Sequence, residues 1–166
     1  LADRHQFDAI QEDYERSLSA IQDVSERNFL YAMHFKRRAM YEHKYSFDRG
    51  IPISEDYLDS LFDEAWNYFV QIKKEDLEKR VTINTSFVTM TTEEYSRREL
   101  FFYPDYMGGW LSLTYHSDRF LQYLDKRDLL KASLKTLEDL NLLHFWVANM
   151  FELRIIGHAE AFTHDF

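Results

Sequence analysis

The sequence has 166 residues, of which 45% are hydrophobic and 17% aromatic. A chain of this length and composition can bury one hydrophobic core, and a disordered chain is excluded. Its formal net charge of -9, from 29 acidic and 20 basic residues, opposes sequence-independent binding to nucleic acid or to an anionic bilayer and favours a basic partner. Cysteine is absent from the sequence, which excludes disulfides and thiolate metal sites.

Hydropathy gives no sign of a membrane segment. No apolar run approaches the ~20 residues that span a bilayer, and the amino end has no basic and then apolar leader. The lack of cysteine suits a reducing compartment. We therefore expect a soluble, cytoplasmic chain.

The first predicted element is an acidic amphipathic helix from about Arg4 to Asp23. Ser25 is placed to cap a second helix, which should end before Gly50 because Pro52 disfavours helical geometry in the residue that precedes it. Ser54 is a good cap for the third helix. Only four glycines and two prolines occur in the whole sequence, which leaves room for long helices.

The middle of the chain is less regular. The segment Val81 to Met90 is rich in β-branched residues, which is typical of a short strand or an extended linker. No partner strand is evident, so the linker is favoured. Thr91 and Glu94 match a capping box, which predicts a helix through Tyr103 that Pro104 closes.

Two further helices complete the predicted fold. One ends near Asp125 and begins close to the paired Gly108 and Gly109, each of which costs about 1 kcal/mol inside a helix. The other runs from about Leu130 to a stop at Gly157. No linker rich in glycine, proline or serine separates domains. Together the elements predict a single-domain, all-α bundle of about five to six helices over residues 1–166.

The third predicted helix carries two stripes. Its apolar stripe has the spacing of a buried helix face: Leu58, Leu61, Phe62, Ala65 and Phe69. Asp56, Asp59 and Asp63 follow a different, solvent-leaning face. This acidic stripe is either an ordinary solvated surface or a docking surface for a basic partner, and the helix by itself favours the solvated surface.

Catalytic and metal-binding patterns are absent from the sequence. A ferritin-like metal site needs Glu-x-x-His pairs, and none of the seven histidines follows a glutamate at that spacing. The nearest substitute is the terminal group of His158, Glu160 and His164, for which a polar tail is the favoured interpretation. The sequence also lacks a nucleophile elbow and a glycine-rich phosphate loop. We expect no catalytic residue, no metal and no cofactor.

Basic and histidine residues of the second helix allow two interpretations. Lys36 and His43 lie on its apolar side and could form a buried acid-base pair, but side chains that extend to solvent at the edge of a bundle are favoured. The run Lys36, Arg37 and Arg38 could contact phosphate, and a local network of salt bridges is favoured instead.

Aromatic residues suggest an alternative function. Trp66, Trp110 and Trp146 could line a ligand pocket, although helical bundles commonly use such residues in their cores. With Tyr115 nearby and His116 or His144 as an acid-base group, they would form a small-ligand-binding or enzymatic domain. These residues are: Trp66, Trp110, Tyr115, His116, His144 and Trp146.

The order of several short motifs resembles the immunity proteins of the PoNi type. The second helix closes on Tyr45 and Ser46 before Gly50, and the acidic third helix follows. Later, Tyr106 precedes the sequence GWLSL at 109–113, and an acidic region follows between 125 and 140. The likeness extends over about 13–151. The family has further C-terminal helices where this chain ends, so the resemblance implies a chain truncated at that end.

The resemblance implies a helical fold that neutralises a toxin and has no catalytic residues. PoNi-type proteins protect bacteria from PoNe-type DNase toxins, which are delivered to competing cells. A nuclease toxin needs a basic surface to hold DNA, and an acidic helix face could occupy that surface. The candidate partner-binding residues are Asp56, Tyr57, Asp59, Asp63 and Glu64.

Overall fold

The computed structural model describes residues 2–86, 88–102 and 119–139. The chain divides into two compact units, Leu1–Phe101 and Phe102–Phe166. The described elements are, in chain order: α1 Ala2–Ser19, α2 Val24–Arg49, α3 Glu55–Val70, α4 Lys74–Leu77, β1 Arg80–Ser86, β2 Thr91–Ser96, α5 Arg97–Phe102, α6 (described over 119–126) and α7 Leu130–Asp139. The described residues are thus mostly helical, and the single-domain organisation stays a prediction.

The boundaries of α2 follow from local chemistry. Asp23 caps its start, since its Oδ1 accepts a hydrogen bond from the main-chain nitrogen of Glu26 at 3.0 Å. The predicted cap, Ser25, is wrong because its hydroxyl donates to Asp76 at 2.5 Å instead. The predicted end of the helix before Gly50 is confirmed, and this glycine has the left-handed φ of 62° that closes many helices.

α3 begins as predicted and packs on α2. The hydroxyl of Ser54 accepts a hydrogen bond from the main-chain nitrogen of Tyr57 at 3.2 Å. All five residues of the predicted apolar stripe are buried: Leu58, Leu61, Phe62, Ala65 and Phe69. On α2 the buried apolar residues are these: Phe29, Ala32, Met33, Phe35, Ala39 and Met40. The α2 and α3 pair therefore forms the core of the first unit.

A β-hairpin replaces the linker predicted for Val81 to Met90. β1 pairs antiparallel with β2, with Arg80 opposite Ser96 and a register shift between Asn84 and Ser86. The linker prediction is wrong because the partner strand is β2, whose sequence TTEEYS has little apolar pattern and also matches the start of a helix. The described part of the chain is consequently helical with one small sheet, and not purely all-α.

The capping box predicted at Thr91 lies five residues further along. Ser96 Oγ accepts from the main-chain nitrogen of Glu99 at 3.0 Å, and Glu99 Oε2 accepts from that of Ser96 at 3.4 Å. α5 therefore begins at Arg97. Its residue Phe101 stacks on Phe69 of α3, with the ring centroids 4.2 Å apart, which attaches α5 to the core of the first unit.

In the second unit, α6 buries four residues: Phe120, Leu121, Tyr123 and Leu124. The described helix ends at residue 126, so the predicted end near Asp125 is confirmed to within one residue. Gly108, Gly109 and the sequence GWLSL lie outside the described residues, as does the continuation of the last predicted helix from 140 to Gly157. No helix among 2–86, 88–102 and 119–139 is both long enough and apolar enough to cross a membrane.

Candidate functional site

The predicted partner-binding residues of α3 differ in exposure. Asp56 and Glu64 are exposed, whereas Tyr57 and Asp63 are half-buried. Asp59 is only 7% exposed, so its predicted position on a solvent-leaning face is wrong. The reason is helical spacing, because Asp59 precedes the core residue Phe62 by three positions and thus lies on its side of the helix. Contact of these residues with a partner stays a prediction.

A cleft of about 300 Å³ lies beside the beginning of α3. Its apolar walls come from Tyr45 at the end of α2 and from the connection to α3, which contributes Ile51, Pro52 and Ile53. The polar lining residues are Arg4 from α1, Glu42 and Ser46 from α2, and Tyr57 from α3. Three helices therefore meet at this cleft.

Glu42 is the centre of the polar lining. Arg4 donates to both of its oxygens, with Nη1 to Oε2 at 2.5 Å and Nη2 to Oε1 at 2.6 Å. The Tyr57 hydroxyl donates to Oε1 at 3.3 Å. The Glu42 side chain is 2% exposed and that of Arg4 is 31% exposed. This is the bidentate fork in which a guanidinium and a carboxylate match best.

Electrostatics around Glu42 favour the charged pair. The hydrogen bond to Glu42 raises the pKa of Arg4 above its ordinary value, although burial acts in the opposite direction. Burial and, next, the charge of Glu42 raise the pKa of Tyr57, which keeps this hydroxyl protonated as a donor. The carboxylate is thus held by two groups that stay hydrogen-bond donors.

Aromatic rings surround the Arg4 guanidinium. Its central carbon lies 5.3 Å from the ring centroid of Phe7 and 5.5 Å from that of Tyr45. Arg49 approaches the same Tyr45 ring at 4.5 Å. Such distances are those of cation-π contacts. The site therefore offers a carboxylate fork and aromatic faces, which is chemistry for binding a guanidinium.

A second ionic cluster joins the other end of α1 to α2. Glu15 Oε1 lies 2.7 Å from Arg38 Nη1 and 2.9 Å from His34 Nε2. The Tyr31 hydroxyl donates to the main-chain oxygen of Glu15 at 3.0 Å. Burial lowers the pKa of His34, although the hydrogen bond to Glu15 opposes that effect. The predicted network of salt bridges is confirmed for Arg38; Arg37 is exposed.

Lys36 is buried, and its predicted extension to solvent is wrong. Its side chain is 1% exposed, and Nζ donates to the main-chain oxygen of Phe101 at 2.6 Å. The ammonium also lies 5.8 Å from the centroid of the Phe101 ring. The lysine thereby connects α2 to α5. His43 is buried as well, so its predicted extension to solvent is also wrong, and its pairing with Lys36 stays the untested alternative.

Most of the predicted tryptophan and histidine cavity lies outside the described residues. Trp66 is half-buried and packs against Phe69 and Phe101, with ring centroids 5.6 and 6.2 Å away. The residues that the structure does not describe are these: Trp110, Tyr115, His116, His144, Trp146, His158, Glu160 and His164. Within the described ranges, no group of three acidic, histidine or cysteine residues could hold a metal ion.

The pairing of Arg4 with Glu42 is not among the sequence-based predictions. One signal was present, because Glu42 lies three positions after Ala39 on the apolar side of α2, where a carboxylate needs a partner. The identity of that partner was not readable, since Arg4 is 38 residues away along the chain.

Comparison with known proteins does not add to this geometry: no protein-family model, no curated protein and no solved structure matches the chain.

Proposed function

We propose that this chain is a toxin-neutralising immunity protein that binds and occludes a basic, DNase-type toxin through an acidic helical surface. The net charge of -9 supports a basic partner. The sequence resemblance to PoNi-type proteins supports the class of toxin. Neutralisation of a DNase inside the cell would place the chain in the cytoplasm.

One observation carries the proposal, which is the presentation of exposed carboxylates on a firmly packed helix. Asp56 and Glu64 are exposed, while Leu58 and Phe62 of the same helix are buried. A rigid surface loses little conformational entropy on binding, so more of the contact energy is available as affinity. Tyr57, half-buried beside Asp56, supplies an aromatic contact of the type found in interface hot spots.

The proposed mechanism is occlusion of the surface that holds DNA. Carboxylates on α3 would pair with the lysines and arginines that a nuclease uses for phosphates, and the acidic field would accelerate the encounter. This mechanism requires no catalytic residue and no cofactor in this chain. It also requires no contact of the chain with nucleic acid or with a membrane.

The test uses two charge-matched double variants. The docking variant is Asp56→Lys with Glu64→Lys, and the control is Glu12→Lys with Glu75→Lys, which are exposed carboxylates on α1 and α4. Each replacement of a carboxylate by lysine raises the net charge by two units, so both double variants change it from -9 to -5. We expect melting to shift little in either, since surface substitutions change stability by about 0.5 kcal/mol or less.

The measurement is protection of cells that express a PoNe-type DNase toxin, together with the rate at which each variant associates with that toxin. The docking variant should lose protection and associate more slowly, because like charges across an interface cost several kcal/mol. The control should keep protection. Full protection by the docking variant, or equal loss in both variants, would count against docking through α3.

A further inference from the structure

The Arg4 and Glu42 pair has the composition of a recognition site for a guanidinium. Glu42 presents both oxygens to one guanidinium, and Tyr57 holds the carboxylate from a third helix. The rings of Phe7 and Tyr45 lie within cation-π distance of the same group. A lysine could not fill this fork, because its ammonium cannot form two parallel bonds to a carboxylate.

The cleft opens onto this pair. Arg4 and Glu42 both contribute to its lining, and its volume of about 300 Å³ lies at the lower end of the range for ligand pockets. Ile51, Pro52 and Ile53 offer an apolar wall on which the methylene stem of a long basic side chain can lie. A side chain that enters the cleft therefore reaches Glu42 alongside Arg4.

The helix that carries Arg4 is only lightly anchored. Over residues 4–19 of α1, the part whose burial is described, Leu18 is the one buried residue, and it lies at the opposite end from Arg4. Ile10 is largely exposed. Helices in proteins gain most of their stability from a packed apolar face. The first turns of α1 are therefore held by the ionic contact of Arg4 and by the half-buried Phe7 ring, whose centroid lies 6.5 Å from that of Tyr45; neither Arg4 nor Phe7 is a buried core residue.

We propose that Glu42, Tyr45, Tyr57 and the cleft form a guanidinium socket for an arginine of the basic partner, and that Arg4 fills this socket until the partner arrives. The identification of the partner rests on the proposed function, whereas the socket itself does not. Exchange of one arginine for another keeps Glu42 paired, which avoids the large cost of an uncompensated buried charge. Arg4 would thus neutralise Glu42 in the free chain, and the arginine of the partner would have to displace it in order to bind.

The test empties the socket in the full chain. In the Arg4→Ala variant, n-propylguanidinium, which mimics the arginine side chain, should raise the melting temperature in a saturable way, because a ligand of the folded state stabilises it. The control ligand is n-butylammonium, the mimic of lysine, and the control variant is Arg4→Ala with Glu42→Gln. Neither control should show the saturable shift.

Affinity gives a second measurement. An N-acetylated, C-amidated Gly-Arg-Gly peptide should bind Arg4→Ala about tenfold or more tightly than the wild type, because the internal competitor is gone. If Arg4→Ala is unfolded alone, the guanidinium mimic should restore its helical circular dichroism. Equal responses to the two mimics, equal binding by Arg4→Ala and by its Glu42→Gln double variant, or no restoration of an unfolded variant would each overturn the proposal.

The two proposals fail separately. If the socket binds no guanidinium while wild-type chain still protects cells, the socket is wrong and the proposed function stands. If the socket binds arginine peptide while the chain neither binds nor protects against the toxin, the proposed function is wrong and the socket stands.

Discussion

The two ends of α1 are joined to α2 by ionic clusters whose polarity is reversed. Near the start of α1 the cation, Arg4, belongs to α1 and the carboxylate, Glu42, belongs to α2. Near its end the carboxylate, Glu15, belongs to α1, and α2 supplies Arg38 and His34. Both clusters contain a carboxylate that accepts from an arginine at 2.5 to 2.7 Å.

The difference between them lies in the burial of the carboxylate. The Glu42 side chain is 2% exposed, while that of Glu15 is 25% exposed. Water already contacts Glu15 and can take over part of the role of a lost partner there, whereas Glu42 is covered by Arg4 and gains only the water that the cleft admits once Arg4 is removed. We therefore expect removal of the arginine to reduce the stability of the fold less at the Glu15 end of α1 than at the Glu42 end.

The largest expected effect comes from removal of the two arginines in turn. Arg4→Ala should lower the free energy of unfolding by about 3 kcal/mol, because it leaves a buried carboxylate without its cation. Arg38→Ala should cost about 1 kcal/mol, since Glu15 keeps His34 and contact with water. Urea unfolding of both variants measures the comparison.

Arg4→Lys is the matched control, since it keeps the charge and loses the fork; its stability should lie between those of wild type and Arg4→Ala. Equal losses for Arg4→Ala and Arg38→Ala would contradict the role given to burial.

A smaller effect distinguishes the two tyrosines. The Tyr57 hydroxyl donates to the carboxylate of Glu42, and the Tyr31 hydroxyl donates to the main-chain oxygen of Glu15. Each change to Phe should cost about 1 kcal/mol. Tyr57→Phe should cost more in the Arg4→Ala background, because both donors serve one carboxylate.

Tyr31→Phe and Arg38→Ala act on different atoms of Glu15, so their costs should add to within about 0.5 kcal/mol. Two double-mutant cycles by chemical denaturation measure the couplings. A larger coupling energy in the Tyr31 and Arg38 cycle than in the Tyr57 and Arg4 cycle would contradict this prediction.

The smallest expected effect is a pH dependence that arises from His34, at the Glu15 end of α1. Burial lowers the pKa of His34 below its ordinary 6.5, while Glu15 acts to raise it and the nearby Arg38 and Arg37 act to lower it. The unfolded chain thus takes up the proton first as the pH falls. The contribution of neutral His34 to stability is therefore complete above about pH 6.5 and is lost as the pH falls through the native pKa.

The measurement is the melting temperature of wild type and His34→Gln from about pH 7.5 to about pH 5. The wild type should lose more stability than His34→Gln over this interval. Parallel curves for the two proteins would contradict the assignment to His34. Tyr57→Phe, at the other end of α1, serves as a variant that should keep the wild-type slope.

Sequence by itself determined the features that depend on neighbouring residues. The end of α2 before Gly50 and the start of α3 at Ser54 were predicted correctly because Pro52 and a capping hydroxyl act on the backbone of residues close to them in the sequence. The buried stripe of α3 was predicted because apolar periodicity records which helix face meets the core.

Tertiary structure decided the features that depend on distant residues. β2 became a strand because β1 lies beside it and supplies its hydrogen bonds, although its own sequence also matched a helix start.

The candidate site belongs to this second class. The position of Glu42 on the apolar side of α2 indicates a buried carboxylate that requires a partner. Arg4 reaches it only because α1 folds back along that helix. Pairing across such a distance leaves no periodic signal in a single sequence. Local capping and periodicity therefore fixed the helices, and the folded arrangement of those helices created the cleft and its ion pair.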